Sequence, residues 1–247
     1  MKNTGIDADR RRFLELTSIT AVTIATSAVL PAWAATSAST RIGVIGSGKV
    51  GGAIGRSWIR SGHEVLFSSR NIDHDKALAA ELGAKAHAGT AAEAAAFGEV
   101  ILIAVPYGAL PELGKSLGNA LKGKVVIDAC NPFPQRDGEI ATRARAQGAG
   151  RVSAELLPGA RIVRAFNAIG AARMGSAYET PGKIGMPIAG DDAQAIELAA
   201  RLIRDVGYEP VLVGNQEMGK YLLPGTPLAG EHTPAEVREI AAKLKTP

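Results

Sequence analysis

The chain has 247 residues, enough for one large α/β domain or two small ones. Its 46% hydrophobic and 21% charged residues are typical of a globular protein and exclude a disordered one. A net charge of +4 without a basic stripe, with 4% aromatic residues, argues against a nucleic-acid partner. A single cysteine, Cys130, excludes an intramolecular disulfide, and four scattered histidines have no metal-ligand spacing, so we expect no metal site.

The first 34 residues have the three regions of a secretory signal. A basic cluster at Arg10, Arg11 and Arg12 precedes an apolar run over residues 16–30, and Ala32-Trp33-Ala34 supplies small residues for cleavage. With Arg10-Arg11 as the pair, this pattern resembles a twin-arginine signal. The alternative is a retained anchor, but a bilayer span needs roughly 20 apolar residues and this run is shorter. We therefore expect export to the periplasm without a stable membrane span, followed by a leader over residues 35–40.

A glycine-rich motif follows the first predicted strand of the mature chain, residues 41–45. The motif consists of Gly46, Ser47, Gly48, Lys49, Val50 and Gly51. Helical apolar spacing then continues to residue 60, and residues 63–68 form a second apolar, strand-like run. Between a strand and a helix, G-x-G-x-x-G is the fingerprint of a dinucleotide site, whose phosphates lie at the positive helix N-terminus.

The end of the second strand indicates which dinucleotide binds. An NAD site usually has a carboxylate there, about 20 residues past the glycines, to bind the ribose 2′-hydroxyl. Here the residues are Ser68, Ser69 and Arg70, and we expect no carboxylate to repel a 2′-phosphate. Ser69 and Arg70 can both bind that phosphate. Lys76 on the next helix adds a positive charge, and whether its side chain reaches the phosphate is left open. The sequence therefore predicts NADP(H) as the cofactor.

The rest of the chain alternates strands with helices. Later strands are predicted over residues 99–105, 124–129, 161–166, 185–189 and 210–213. Helices are predicted over residues 108–118, 192–206 and 234–245. This alternation predicts an α/β fold with a Rossmann-type, doubly wound and mostly parallel sheet, in one compact domain over residues 41–247. Ligands of such sheets bind beyond the carboxyl ends of the strands, where Pro106, Tyr107, Asn131, Pro132 and Asn167 are found.

Six motifs along the chain recur in the same order in one protein family. They are the glycine motif, Ser69-Arg70, Ala104-Val105-Pro106, Asp128-Ala129-Cys130-Asn131-Pro132, Ala165-Phe166-Asn167 and Ala189-Gly190-Asp191-Asp192. Over residues 41–220 the chain resembles the NADP oxidoreductases dependent on coenzyme F420, also called NADPH-dependent deazaflavin reductases. It is also similar to the reductase domain of Steap-type ferric reductases and to the amino-terminal domain of pyrroline-5-carboxylate reductases.

The resemblance implies roles for particular residues. Ser69 and Arg70 would bind the 2′-phosphate, and Val105, Pro106, Asn131 and Pro132 would border the dinucleotide. Coenzyme F420 or a flavin would be the co-substrate. The chain departs from the family in two respects: two extra residues separate Arg70 from Lys76, and the carboxyl-terminal segment on the deazaflavin side is short and altered.

No catalytic acid or base can be assigned from the sequence. It has no Ser/His/Asp set, no Cys/His pair and no paired carboxylates in one motif, and hydride transfer needs none because the cofactor carries the chemistry. We therefore expect hydride transfer between NADPH and a flavin-like or deazaflavin acceptor. The alternatives are a non-catalytic NADP(H) sensor or carrier and a reductase of a small imine or keto metabolite. The expected partners are a small-molecule substrate and, as an open alternative, a second copy of the chain.

Overall fold

Strands and helices alternate along residues 39–244, the part of the chain that the computed structural model describes. The strands are β1 (Arg41–Ile45), β2 (Glu64–Ser68), β3 (Ala86–Ala88), β4 (Val100–Ile103), β5 (Val125–Asp128), β6 (Arg161–Arg164), β7 (Gly185–Gly190) and β8 (Glu209–Gly214). The helices are α1 (Lys49–Arg60), α2 (Ile72–Leu82), α3 (Ala91–Phe97), α4 (Leu110–Leu121), α5 (Pro134–Asp137), α6 (Glu139–Gln147), α7 (Ala149–Leu156), α8 (Ala193–Asp205) and α9 (Pro234–Leu244). The predicted signal, and all but the end of the predicted leader, lie outside the described residues.

The eight strands of the described region form one sheet in the order β3-β2-β1-β4-β5-β6-β7-β8. All neighbouring strands are parallel except β6 and β7, which pair antiparallel. From β1 the chain moves outward through β2 and β3, then returns to the other side of β1 for β4. A crevice therefore opens at the carboxyl ends of β1 and β4, where the strand order reverses. The predicted Rossmann-type, mostly parallel sheet is confirmed.

The apolar runs correctly located the strands. All seven strands predicted from them are present, with bounds that differ by at most two residues. The eighth strand, β3, was not predicted because it is only three residues long, Ala-His-Ala, and is half-buried at the edge of the sheet. Within residues 39–244, no helix combines the length and the apolar character needed to cross a membrane.

Side chains alternate between two cores on the opposite faces of the sheet. On β4, Val100 and Leu102 belong to the core that contains α1 and α8, and Ile101 and Ile103 to the core that contains α4. Strands buried on both faces read as continuous apolar runs, which explains the predictive value of those runs. Trp58 of α1 is fully buried in the first core, where its indole N–H donates to the Leu202 carbonyl of α8 at 2.8 Å.

A buried ion pair joins β5 to β6 at their carboxyl ends. Asp128 and Arg164 are directly opposite each other in the parallel register, and neither side chain has exposed surface. Arg164 Nη1 lies 2.6 Å from Asp128 Oδ2, and Nη2 donates to the Cys130 carbonyl at 3.0 Å. Asp128 Oδ1 accepts from the Cys130 amide at 2.8 Å. The pair therefore fixes the turn that follows β5.

Replacing one partner of this pair should destabilise the protein strongly. Arg164→Met leaves the buried Asp128 carboxylate uncompensated, and we expect the free energy of unfolding to fall by about 3–5 kcal/mol. Arg164→Met combined with Asp128→Leu should recover part of that loss because no buried charge remains. The measurement is denaturant unfolding of the purified proteins.

The matched control is Arg161→Met on the same strand, which breaks a partly exposed pair with Asp192. Exposed pairs contribute little to stability because water and salt screen them. Equal losses from Arg161→Met and Arg164→Met would show that burial of the Asp128–Arg164 pair has no special consequence.

Candidate dinucleotide-binding site

The glycine motif begins with a turn that only glycine fits. Gly46 has φ +102°, and a Cβ there would lie 2.4 Å from the Ala104 carbonyl oxygen at the end of β4. The amides of Gly46 and Ser47 both donate to the Ser68 carbonyl, at 2.8 and 3.1 Å. The loop is therefore fixed between the ends of β2 and β4.

The second half of the motif forms an open cradle at the start of α1. A Cβ built at Gly48 would meet nothing within 4 Å, so free space lies over the loop. At Gly51 a Cβ would lie 2.1 Å from the Gly46 carbonyl oxygen, so the helix can approach β1 only with glycine there. The first turn of α1 has no acidic residue and no side-chain cap. Its free amides and positive dipole end suit an anion such as a pyrophosphate.

A groove of about 460 Å³ extends from this cradle between α1 and α2. Its lining is Ser47, Gly48, Lys49, Gly52, Ala53, Arg56, His74 and Leu78. Lys49 is exposed at the loop, whereas Arg56 is already paired with Glu81. Val50 is half-buried, and its side chain packs against the core.

The three residues that end β2 have different surroundings. The Ser68 side chain is fully buried, and its hydroxyl donates to the Val44 carbonyl at 2.9 Å, so it is directed into the sheet. Ser69 and Arg70 are exposed beyond the strand. Among residues 39–244 the Arg70 guanidinium has no hydrogen-bond or ion-pair partner, so it is available to an anionic ligand. Lys76 is exposed on α2.

The expectation that no carboxylate stands near this strand end is wrong. Asp75 lies on the first turns of α2, and its side chain is completely buried beneath the loop. Ser69 Oγ donates to it at 2.9 Å, and Ser47 Oγ also donates to it. The strand end itself carries no carboxylate, but α2 starts at Ile72 and its first turn brings Asp75 back toward the glycine loop.

The ends of β4 and β5 supply the other side of the crevice. Val105 is half-buried and Pro106 is exposed after β4, while Asn131 is half-buried and Pro132 buried after β5. Pro106 also starts the short 3₁₀ turn that directs Tyr107 inward, where its hydroxyl contacts the Ala149 carbonyl at 2.8 Å. The predicted residues of β1, β2, β4 and β5 therefore share one edge of the sheet.

Two buried groups near this edge are poor candidates for proton transfer. Burial, and then the charge of Asp128, raise the pKa of the Tyr107 phenol well above its ordinary value. The same two causes, in the same order, raise the pKa of the Cys130 thiol. Both groups stay protonated at neutral pH, so the structure favours the reading of Cys130 as a small buried residue rather than a redox thiol.

Unpaired amide oxygens mark the ends of β5 and β6. Asn131 Nδ2 donates to the Asn167 carbonyl at 2.9 Å, which holds the two strand ends together. Within the described residues, the buried Oδ1 atoms of Asn131 and Asn167 have no hydrogen-bond partner. Phe166, just before Asn167, has φ +64°, a strained conformation for an aromatic residue that sequence patterns do not reveal. Buried acceptors of this kind require a donor from water or a ligand.

These features fit a nicotinamide dinucleotide. The cradle at Gly48 matches a pyrophosphate, the unpaired Arg70 matches a 2′-phosphate, and the amide oxygens at β5 and β6 match a donor such as a carboxamide. In residues 39–244 no group of three or more His, Cys, Asp or Glu side chains is placed to hold a metal.

Comparison with known proteins gives the same identification. Residues 41–132 match the family model described as NADP oxidoreductase coenzyme F420-dependent. The F420-dependent NADP reductase of Methanothermobacter marburgensis is 30% identical over 202 residues, covering 74% of this chain and 87% of that protein. The metalloreductase STEAP3 of Rattus norvegicus is 29% identical over 178 residues, covering 71% of this chain. The chain spans only 34% of the length of STEAP3.

A solved structure shares the fold over almost its whole length. A hypothetical protein of Sinorhizobium meliloti, SMa0349, superposes with a TM-score of 0.67 at 24% identity, covering 77% of this chain and 93% of that one. At this identity the superposition shows a shared fold, and the Methanothermobacter relative, matched over most of its length, shows the family. The chain belongs to the family of NADP oxidoreductases dependent on coenzyme F420, and it is an NADP-dependent oxidoreductase.

Proposed function

We propose that the protein transfers a hydride between NADPH and a flavin-like or deazaflavin acceptor at the carboxyl edge of the sheet. The observation that carries this proposal is that the carboxyl edge of the sheet has two chemically different regions. An anion-binding end is formed by the glycine cradle and Arg70, and an end with unpaired acceptors by Asn131 and Asn167. From β2 to β5 the sheet measures roughly 14 Å, at about 4.8 Å per strand, so an extended ligand is needed to reach both.

Each part of the site has a separate task in binding. The first-turn amides of α1 and Lys49 would hold the pyrophosphate, and Arg70 the 2′-phosphate, with Ser69 beside it. Val105, Pro106, Asn131 and Pro132 would border the nicotinamide, and the Asn131 and Asn167 oxygens would accept from its carboxamide. NADPH supplies the hydride when bound, and the protein contributes alignment and exclusion of water.

The type of acceptor is inferred from the protonation of the site. An imine or keto substrate takes up a proton together with the hydride, so its reductase needs a proton donor at the reacting atom. Tyr107 and Cys130, the two titratable side chains directly after β4 and β5, are buried and directed away from solvent. A flavin-like or deazaflavin ring can accept a hydride and spread the negative charge over its ring system. A flavin-like or deazaflavin acceptor therefore does not require a proton donor among the residues described at this edge.

The function can be tested by NADPH turnover with separate acceptors. Riboflavin, FMN and coenzyme F420 form one set, and small cyclic imines and keto acids form the other. We expect oxidation of NADPH with at least one member of the first set and none of the second. Tight NADPH binding without turnover would support the sensor or carrier alternative, and turnover with imines alone would replace the proposal.

A single substitution tests the position of the 2′-phosphate. Arg70→Ala removes a charge-assisted contact to that phosphate, so NADPH affinity should fall ten- to a hundredfold, about 1.5–3 kcal/mol. NADH affinity should hardly change because NADH lacks the phosphate. The measurement is the dissociation constant of each dinucleotide. The control is Arg60→Ala at the far end of α1, and equal weakening of both dinucleotides in Arg70→Ala would contradict the assignment.

We also propose that the protein is exported to the periplasm by the twin-arginine route. The support is the sequence of residues 10–34, together with a fold whose single cysteine is buried and which needs no disulfide to mature before export. Arg10→Lys combined with Arg11→Lys should retain the protein in the cytoplasm with its signal uncleaved. Cell fractionation and intact mass measure this, and continued export of the double variant would indicate another route.

A further inference from the structure

We propose that Asp75 is a specificity-determining residue, whose buried carboxylate opposes the 2′-phosphate and limits how strongly the protein prefers NADPH to NADH. The inference rests on the proposed position of that phosphate at Ser69 and Arg70. It concerns a residue outside the glycine motif and outside the strand end that usually determines dinucleotide choice.

The Asp75 carboxylate connects the two loops that would surround the adenosine ribose. Its oxygens accept from Ser47 Oγ in the glycine loop and from Ser69 Oγ after β2, the latter at 2.9 and 3.1 Å. His74 Nδ1 lies 3.3 Å from Oδ1, on the solvent side. The carboxylate has no exposed surface, so its charge is not solvated directly.

These hydrogen bonds determine the direction of the serine protons. A hydroxyl has one proton to donate, and Asp75 accepts it from both Ser47 and Ser69. The Asn71 carbonyl, 3.2 Å from Ser69 Oγ, is a second acceptor on the protein side for the Ser69 proton, and the Ser69 oxygen accepts from the Asn71 amide at 3.1 Å. What Ser69 presents outward is therefore a lone pair. A ribose 2′-hydroxyl can donate to that lone pair, but the oxygens of a phosphate dianion can only accept.

The charge of Asp75 acts in the same direction. A phosphate oxygen in contact with Ser69 would lie within roughly 5–6 Å of the carboxylate, the length of two successive hydrogen bonds. Like charges at that distance repel, and burial of one of them reduces the screening. Arg70, which follows Ser69, and Lys49, at the end of the glycine loop, are exposed cations that would attract the phosphate. The preference for NADPH then depends on the difference between the attraction of the exposed cations and the repulsion of the buried Asp75 carboxylate.

A purely structural role for Asp75 makes a different prediction. If the carboxylate only holds the glycine loop against α2, its removal loosens the phosphate cradle that NADPH and NADH share. Both dinucleotides would then weaken by the same factor. The ratio of the two dissociation constants therefore separates a specificity role from a structural one.

The experiment measures NADPH and NADH dissociation constants for Asp75→Asn by titration of the intrinsic protein fluorescence. This variant removes the charge and replaces one carboxylate oxygen with an amide group that donates rather than accepts. We expect NADPH to bind about tenfold more tightly and NADH affinity to stay within about twofold. The matched control is Asp73→Asn, an equal change of charge at an exposed position two residues away, which should leave the ratio unchanged.

A second variant keeps the test independent of how well Asp75→Asn folds. Ser69→Ala removes the hydroxyl that donates to Asp75 and retains the carboxylate itself. Because the hydroxyl is expected to accept rather than donate, NADPH affinity should stay within about twofold while NADH binds more weakly. A tenfold loss of NADPH affinity in Ser69→Ala, or an unchanged ratio in Asp75→Asn, would overturn the inference. Equal weakening of both dinucleotides in Arg70→Ala would instead overturn the phosphate position on which it rests.

Discussion

The carbonyl of Ser68 is the acceptor on which the geometry of the site depends. It receives the amides of Gly46 and Ser47, and so fixes the first two residues of the glycine loop to the end of β2. Since Gly46 also lies against the Ala104 carbonyl, the loop can form only where β1, β2 and β4 end together. That meeting of strand ends follows from the reversal of strand order beside β1. The cradle over Gly48 is thus a consequence of sheet topology.

Buried carboxylates organise both ends of the crevice, with different partners. Asp128 is compensated by the Arg164 guanidinium, and the pair fixes the Cys130 turn from which Asn131 projects. Asp75 instead relies on hydroxyl donors and on the neighbouring imidazole of His74, and no buried guanidinium or ammonium accompanies it in the described region. Hydroxyl donors stabilise a carboxylate but leave its net charge in place. The first carboxylate therefore acts on structure, and the second also acts on the electrostatics of the ligand pocket.

Local patterns predicted the elements with strong apolar signals and missed the others. The runs that form β1, β2, β4 and β5 are buried on both faces, so they appear in the sequence as uninterrupted apolar segments. Helix α3 is mostly alanine and has little periodicity. The glycine loop, Ser69 and Arg70 were found because their spacing is local. Asp75 was missed because its contact with Ser47 spans 28 positions and depends on the path of α2, and the strain at Phe166 has no sequence signature.

Arg70 and Asp75 also differ in solvent exposure, and this difference determines how strongly each charge is screened. The guanidinium is exposed, so dissolved ions weaken its attraction for a phosphate. The carboxylate is enclosed by the loop and α2, so its repulsion is screened much less. The attraction between Arg70 and a phosphate therefore varies with ionic strength, whereas the repulsion from Asp75 varies little. Because Ser69 connects the two by orienting its lone pair outward, the site retains a contact suited to a ribose hydroxyl even though the neighbouring arginine suits a phosphate. Discrimination between the two dinucleotides is then a balance held by three neighbouring residues.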